Sequence, residues 1–193
     1  MGIQICAVGG YEEVGKNMTA VRVDDEVIIL DLGIHLENYI NYTEDQDLSK
    51  IYKEDLISIN AVPDDSVIFK WKKMVKAIVP SHAHLDHLAA IPFFADAYDS
   101  PPVIATPFSC AVLKAIMRDN KTKIKSKIIE LNPNSTYPVT ENITLEFINV
   151  THSTPQTVIV ALHTKYGILM YACDFKLDNH PGLGKKPNYQ RLK

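Results

Sequence analysis

This sequence is short of cysteine, of glycine, of long apolar runs and of positive charge, and each shortage excludes something. It has three cysteines, Cys6, Cys110 and Cys173, far apart and without a C-x-x-C pair. An odd number at such spacing excludes a disulfide framework and predicts reduced, buried thiols. The longest apolar runs are strand-sized, so a membrane-spanning helix of roughly 20 residues is excluded. There is no basic leader followed by an apolar core, so no secretory signal is expected and a cytoplasmic location follows. The formal net charge is −3, which gives the whole protein no attraction to nucleic acid. Local basic stretches do occur, at Arg118-Lys121-Lys123-Lys125-Lys127, at Lys70-Lys72-Lys73-Lys76 and at Lys185-Lys186. Each reads as a solvated face.

What is present is an ordinary globular composition, 46% hydrophobic and 22% charged over 193 residues, enough for one sizeable core. Ile3 to Val8 alternates and ends at Gly9-Gly10, predicting a strand and then a loop to Lys16. Met18–Val23 and Glu26–Leu30 flank Asp24-Asp25, a hairpin turn, so three antiparallel strands open the domain. Leu48, Ile51, Tyr52, Leu56 and Ile59 recur at helical spacing within an otherwise polar stretch. Val75 to Val79 is a buried-strand run, and Thr106-Pro107 is a cap-plus-proline entry to a helix from Phe108 to Met117. Strands are then expected at 127–131, 137–139, 143–150, 157–164 and 168–172. From Asp178 the periodicity is lost among Pro181, Gly182, Gly184 and Pro187. Residues 1–177 therefore read as one domain and 178–193 as a linker.

The chemistry is concentrated in His82-Ala83-His84-Leu85-Asp86-His87, directly after the apolar run. Histidines at i and i+2 of an extended segment project to one side, so His82 and His84 can grip one ion. Asp86 and His87 lie on the following turn, opening a helix expected to run through Phe94, and face a neighbouring position. One ion per pair is the natural reading. Imidazole mixed with carboxylate suits zinc, with manganese favoured as oxygen ligands increase.

Two further strand ends carry what a binuclear centre still needs. The 143–150 strand leads to His152, and the 168–172 strand leads to Asp174. His82 and His84 leave their ion short of a third protein ligand, which His152 supplies. Asp174 can bridge two ions with its two oxygens. Asp31, at the end of the third strand, is suited to fixing the ring of a ligating histidine or the loop that carries it. His35 is a candidate for substrate contact, as is Ser153. His163 and His180 read as structural or solvated.

The order Asp31, His82 to His87, His152, Asp174 resembles the four motifs of the metallo-β-lactamase superfamily. The finer wording resembles ribonuclease J of its β-CASP branch, in the archaeal version. It lies in Gly9-Gly10, Glu13-Val14-Gly15-Lys16-Asn17-Met18, Asp31 to Tyr39, His152-Ser153-Thr154-Pro155 and Asp174-Phe175-Lys176-Leu177-Asp178. The resemblance implies an α/β, αββα sandwich, of which this chain is the amino-terminal part, with the β-CASP insertion absent. It implies a 5′-to-3′ exoribonuclease on single-stranded RNA bearing a 5′-monophosphate, with endonuclease activity as a second mode. Hydrolysis would use a hydroxide shared by two zinc ions. The first would be held by His82, His84 and His152, the second by Asp86 and His87, with Asp174 bridging. Asp86 and Asp174 are the catalytic carboxylates of this reading, Asp86 orienting water. A homodimer and a carboxyl-terminal half completing the second site are implied as partners, and no membrane. Cys173 stands where the family has glycine. The alternatives are an RNA 3′-end-processing endonuclease of the same superfamily, a small-molecule metallo-hydrolase, and an inactive or scaffolding fragment that needs its other half.

Overall fold

A computed structural model describes residues 1–193, the side chain of Ser49 excepted. Strands β1 (Ile3–Gly9), β2 (Met18–Val23) and β3 (Glu26–Leu30) form an antiparallel meander. Strands β4 (Val75–Val79), β5 (Val103–Ala105) and β6 (Ile128–Glu130) extend it in parallel, giving a six-stranded sheet in sequence order. Strands β7 (Thr136–Pro138), β8 (Thr144–Asn149), β9 (Val158–Thr164) and β10 (Gly167–Tyr171) form a second, antiparallel sheet ordered β10-β9-β8-β7. The helices are α1 (Leu36–Thr43), α2 (Lys53–Ser58), α3 (Leu85–Leu88), α4 (Ile91–Phe94) and α5 (Pro107–Asp119).

Alternation along the strands divides the first sheet's side chains between two cores. Ile28, Leu30, Ala77 and Val79 point to the second sheet and meet Leu145, Phe147, Val160 and Leu162. Val27, Ile29 and Ile78 point the other way and pack under Leu88, Ile91, Phe94, Tyr98 and Leu113. Each fully buried side chain of this size contributes about 1.5–3 kcal/mol. The outer face of the second sheet carries Ile148, Val150, Ile159 and Ala161, with Leu192 from the tail packed on it. The layers are thus helices, sheet, sheet, and among the described residues only this tail stands where a fourth layer would lie.

Several expectations need adjustment. The opening strands and the later β-rich half fall where alternation placed them, within a residue or two. Strand β5 and helix α1 were not expected. Helix α1 buries none of its residues, so it carries no full apolar stripe. It is started by His35, whose Nδ1 accepts from Asn38 N at 3.3 Å. The helix expected over 48–59 is a 3-10 turn at Leu48–Lys50 followed by α2. The break falls where Asp55 Oδ2 accepts from Tyr52 N at 3.1 Å and starts a new helix. The expected linker folds back on the second sheet instead of leaving it. Asn188 N donates to Asn149 O at 2.9 Å, and Arg191 pairs with Glu146 through Nε and Nη2 at 2.7 and 2.8 Å. All three thiols are free, but only Cys110 is buried; Cys6 and Cys173 are half-buried. Cys6 belongs to edge strand β1 and Cys173 to the rim loop after β10, where packing is one-sided. Among the described residues no helix is long and apolar enough to cross a membrane.

Candidate metal centre

Strands β3 and β4 run in parallel, so Asp31 and His82 emerge on one rim. Strands β8 and β10 each pair antiparallel with β9 and therefore run together, bringing His152 and Asp174 out on a common side. A short bridge locks these last two segments: Lys176 N donates to Thr151 O at 2.6 Å, and Thr151 Oγ1 donates to Lys176 O at 2.6 Å.

The first pocket is made of His82, His84, His152 and Asp174, whose ligand atoms all lie within 4.8 Å of one another. His84 Nδ1 stands 2.9 Å from His82 Nε2 and 3.3 Å from His152 Nε2. Asp174 Oδ2 is 3.7 Å from His152 Nε2. Ligands bound tetrahedrally at about 2.0–2.1 Å sit about 3.3 Å apart, so these spacings fit a divalent cation at their centre. Burial, with the facing His87 adding to it, pushes the pKa of His82 down to about 3, and burial together with His84 lowers that of His152. Neutral imidazoles with convergent lone pairs repel one another unless a proton or a cation lies between them. The outward nitrogens are also held, Ser81 Oγ lying 2.9 Å from His82 Nδ1 and Ser153 Oγ 3.2 Å from His84 Nε2. Such contacts fix ring orientation and tautomer.

The second pocket gathers Asp86, His87 and Asp174. His87 Nε2 lies 3.4 Å from Asp86 Oδ2 and 3.8 Å from Asp174 Oδ2, while its ring centroid is 4.1 Å from that of His82. Asp31 touches both a histidine ring and the backbone of the hexad loop. Its Oδ2 accepts from His87 Nδ1 at 2.8 Å, and its Oδ1 accepts from Ser81 N at 2.6 Å. Tyr171 OH donates to the same Oδ2 at 2.9 Å. Burial works against charge on both Asp31 and His87, yet their pairing prevails: Asp31 is held below the usual carboxylate range and His87 is raised to about 12. Asp31 also adopts a left-handed φ of 58°, a conformation non-glycine residues hold only where their surroundings impose it. Cys173 Sγ is 3.7 Å from His87 Nδ1 and so faces the histidine that Asp31 orients.

The helix expected to run from the hexad to Phe94 breaks between α3 and α4. Pro92 has no N–H for the Leu88 carbonyl. Ala90 N donates to Leu32 O at 3.0 Å, and the Asp86 carbonyl, which a continuous helix would give to Ala90, accepts from Asn17 N at 3.1 Å and Asn17 Nδ2 at 3.0 Å. Gly33 makes this docking possible, because a Cβ there would stand 1.7 Å from Asp86 O. Asn17, Tyr171 and Ser81 had no role assigned from sequence. Only Asn17 lay within a recognised motif, and nothing in its spacing pointed 69 residues ahead to Asp86.

His35 serves as the cap of α1, and Ser153 touches His84. His163 Nε2 meets Glu146 Oε2 at 2.7 Å, a structural pair. His180 lies exposed in the tail, where its backbone N donates to Asp178 Oδ1 at 2.8 Å. A cavity of about 560 Å³ opens between the 132–134 loop, the 149–156 segment and tail residues 183–185. It borders the metal centre through His152 alone.

A two-layer β core capped by helices, with histidines and aspartates converging on one rim, is the arrangement of a metallo-β-lactamase. The family described as "Beta-lactamase superfamily domain" matches residues 57–177, and the chain belongs to it. Among solved structures, a protein of unknown function from Enterococcus faecalis superposes with a TM-score of 0.63 at 21% identity, over 90% of this chain and 43% of that one. A metallo-beta-lactamase fold protein from Bacillus subtilis superposes with a TM-score of 0.56 at 14% identity, over 90% of this chain and 63% of that one. Both likenesses concern the fold alone.

More particularly, the resemblance to ribonuclease J holds along the whole chain. It is 46% identical over 194 residues to ribonuclease J of Methanocaldococcus jannaschii, covering 100% of this chain and 43% of that protein. It is 42% identical over 192 residues to ribonuclease J of Pyrococcus abyssi, covering 99% of this chain and 42% of that protein. The chain thus spans less than half the length of these curated relatives.

Proposed function

We propose that this chain is the cation-holding part of a ribonuclease, a 5′-to-3′ exoribonuclease acting on single-stranded RNA with a 5′-monophosphate and using two zinc ions. The observation that carries the reading is the convergence of His82, His84, His152 and Asp174 beside a second group built on Asp86 and His87. Two divalent cations bound there would supply activated water and neutralise charge on the phosphodiester oxygens, with manganese a substitute where carboxylate oxygens dominate. The chain's own residues account for the rest. His82, His84 and His152 would present lone pairs, Asp174 would lie between the two groups, and Asp86 would accept a hydrogen bond from an attacking water. Asp31 fixes His87, and Ser153 fixes His84 at the edge where substrate would enter. The remainder of a longer protein would complete the second group and the RNA path, a second copy would give a homodimer, and the setting would be cytoplasmic.

The test uses the longer protein that contains this chain. Incubated with zinc and RNA carrying a 5′-monophosphate or a 5′-triphosphate, it should release mononucleotides from the monophosphate substrate. Oligonucleotide products without mononucleotides would move the reading to an endonuclease. Cleavage of a generic thioester with RNA left intact would overturn it in favour of a small-molecule hydrolase.

A further inference from the structure

Asp86, like His87 beside it, lies away from any strand end. It sits in the single turn of α3, and its side chain is half-buried. Helical hydrogen bonding does not fix it, because the break before α4 withdraws the Ala90 amide from its carbonyl. What fixes it is Asn17, just ahead of β2. The Asn17 backbone N donates to Asp86 O at 3.1 Å; its side-chain Nδ2 donates to the same oxygen at 3.0 Å and to Asp86 Oδ2 at 3.3 Å. The same Nδ2 lies 3.1 Å from His87 Nε2.

The amide itself has little freedom. Gly10, at a left-handed φ of 84°, leaves room for it, since a Cβ there would stand 2.3 Å from Asn17 Oδ1 and 2.9 Å from Asn17 Cγ. The oxygen therefore lies toward the glycine turn and the nitrogen toward Asp86. The loop that delivers Asn17 is tied down next to it: Lys16 N donates to Ile34 O at 3.1 Å, and the Lys16 ammonium, in a side chain 7% exposed, pairs with Glu13 at 2.8 Å. A buried lysine held in this way makes a stiff platform.

We propose that Asn17 is the positioning residue of the second cation group: its amide holds the Asp86 carboxylate and the adjacent His87 ring in one arrangement and so sets that group's affinity for its ion. This rests on the two-cation reading above. It gives the Gly9-Gly10 turn and the Gly15-Lys16-Asn17 run a shared purpose that neither has as a connector. The first group makes no contact with Asn17 among its anchors, so the two affinities should respond separately.

The experiment is a zinc titration, by calorimetry with elemental analysis of bound metal, of the longer protein that contains this chain, as wild type, Asn17→Ala and Asn17→Leu. Leucine keeps the branching of asparagine but lacks its donor. The wild type should take two ions per chain. Both variants should keep the first affinity within about twofold and lose about 10- to 100-fold at the second, the usual range for removing a partner of a ligand. Unchanged second-ion affinity in both variants overturns the proposal while leaving the two-cation reading intact, as does retention by Asn17→Leu alone, which would make Asn17 a space-filler. Equal weakening of both ions overturns it in favour of a general structural role. A wild type that takes one ion or none overturns the two-cation reading and the Asn17 assignment with it.

Discussion

The two cation groups stand side by side and are built differently. The first is three imidazoles carried by segments that follow β4 and β8, with Ser81 and Ser153 on the outward nitrogens of His82 and His84. The second has two carboxylates for one imidazole, and Asp174, with its side chain 50% exposed, closes it only loosely. Its order comes from outside, from Asp31 behind His87 and Asn17 behind Asp86. Imidazole-rich and self-contained on one side, oxygen-rich and braced by neighbours on the other, the pair should lose their ions in a fixed order. The second should go first on dilution of metal, and its content should be the more sensitive to distant changes.

The largest effect comes from the first group. His84→Ala removes the imidazole common to the 2.9 and 3.3 Å contacts, and should bring turnover to background and lower bound zinc. The cores above and below the first sheet do not pass through this ring, so the circular dichroism spectrum should stay that of the wild type. Global unfolding of the variant would show that the ion is structural and would break the comparison at its stronger end.

Next in size is Gly33→Ala, which should disturb both groups together. Its Cβ would meet the Asp86 carbonyl at 1.7 Å and the His87 N at 2.4 Å, backbone atoms that cannot swing aside. The 31–34 segment would have to leave the hexad loop, breaking Leu32 N to His87 O at 2.7 Å and Ile34 N to Leu85 O at 3.2 Å. A loss of about 3 kcal/mol or more in urea unfolding is expected, with weaker binding of both ions. A variant with wild-type stability would mean the two segments are not held together as described.

Smaller again is Tyr171→Phe, which sharpens the contrast because it acts on Asp31, whose direct ring partner is His87 of the second group and which reaches His82 only through Ser81. It deletes one donor to Asp31 Oδ2 and leaves the His87 and Ser81 contacts in place. The cost should be about 1.5 kcal/mol, with second-ion affinity falling less than about tenfold and the first unchanged. Calorimetric titration separates the two, and a loss confined to the first ion would reverse the assignment.

The same division runs through what the sequence made legible. His82, His84, His152 and Asp174 were readable because each follows an apolar strand, and a strand's end fixes where its next residue goes. The braces were not. Asn17, Tyr171 and Ser81 act through contacts that link one element to another, and no periodicity reports such a contact. The fold divides alike. Strands that bury nearly every residue in an apolar run, such as β2, β3, β8 and β9, announced themselves, whereas α1 fully buries none of its residues and β5 is only three residues long. The break before α4 was written in Pro92, but a run of Leu88, Ala89, Ala90, Ile91, Phe93 and Phe94 masked it with helical spacing. The tail's docking depends on single residues, Asn188, Arg191 and Leu192, within a segment of no regular pattern, so its sequence carries the signature of a linker.

That tail supplies the smallest effect and the control for the comparison, since its Asn188 N and Arg191 contacts reach β8 rather than a ligand of either group. Glu146, buried in β8, accepts from Arg191 Nε and Nη2 at 2.7 and 2.8 Å and faces His163 Nε2 at 2.7 Å. The Arg191 hydrogen bonds, opposed by burial and reinforced by His163, hold the Glu146 carboxyl below its usual pKa. A carboxyl depressed on folding stabilises the folded form fully above its unfolded value, and that contribution is lost as pH falls through the depressed folded value. The tail should therefore stay docked at neutral pH and loosen below the ordinary glutamate range of about 4.3. Arg191 is half solvent-exposed and screened, so Arg191→Ala should have only a small effect, read as faster hydrogen exchange at the Asn188 amide at neutral pH. Zinc content at neutral pH should not move. If it does, the bracing of the centre extends through β8 to the tail, and the first group is less self-contained than its own contacts make it.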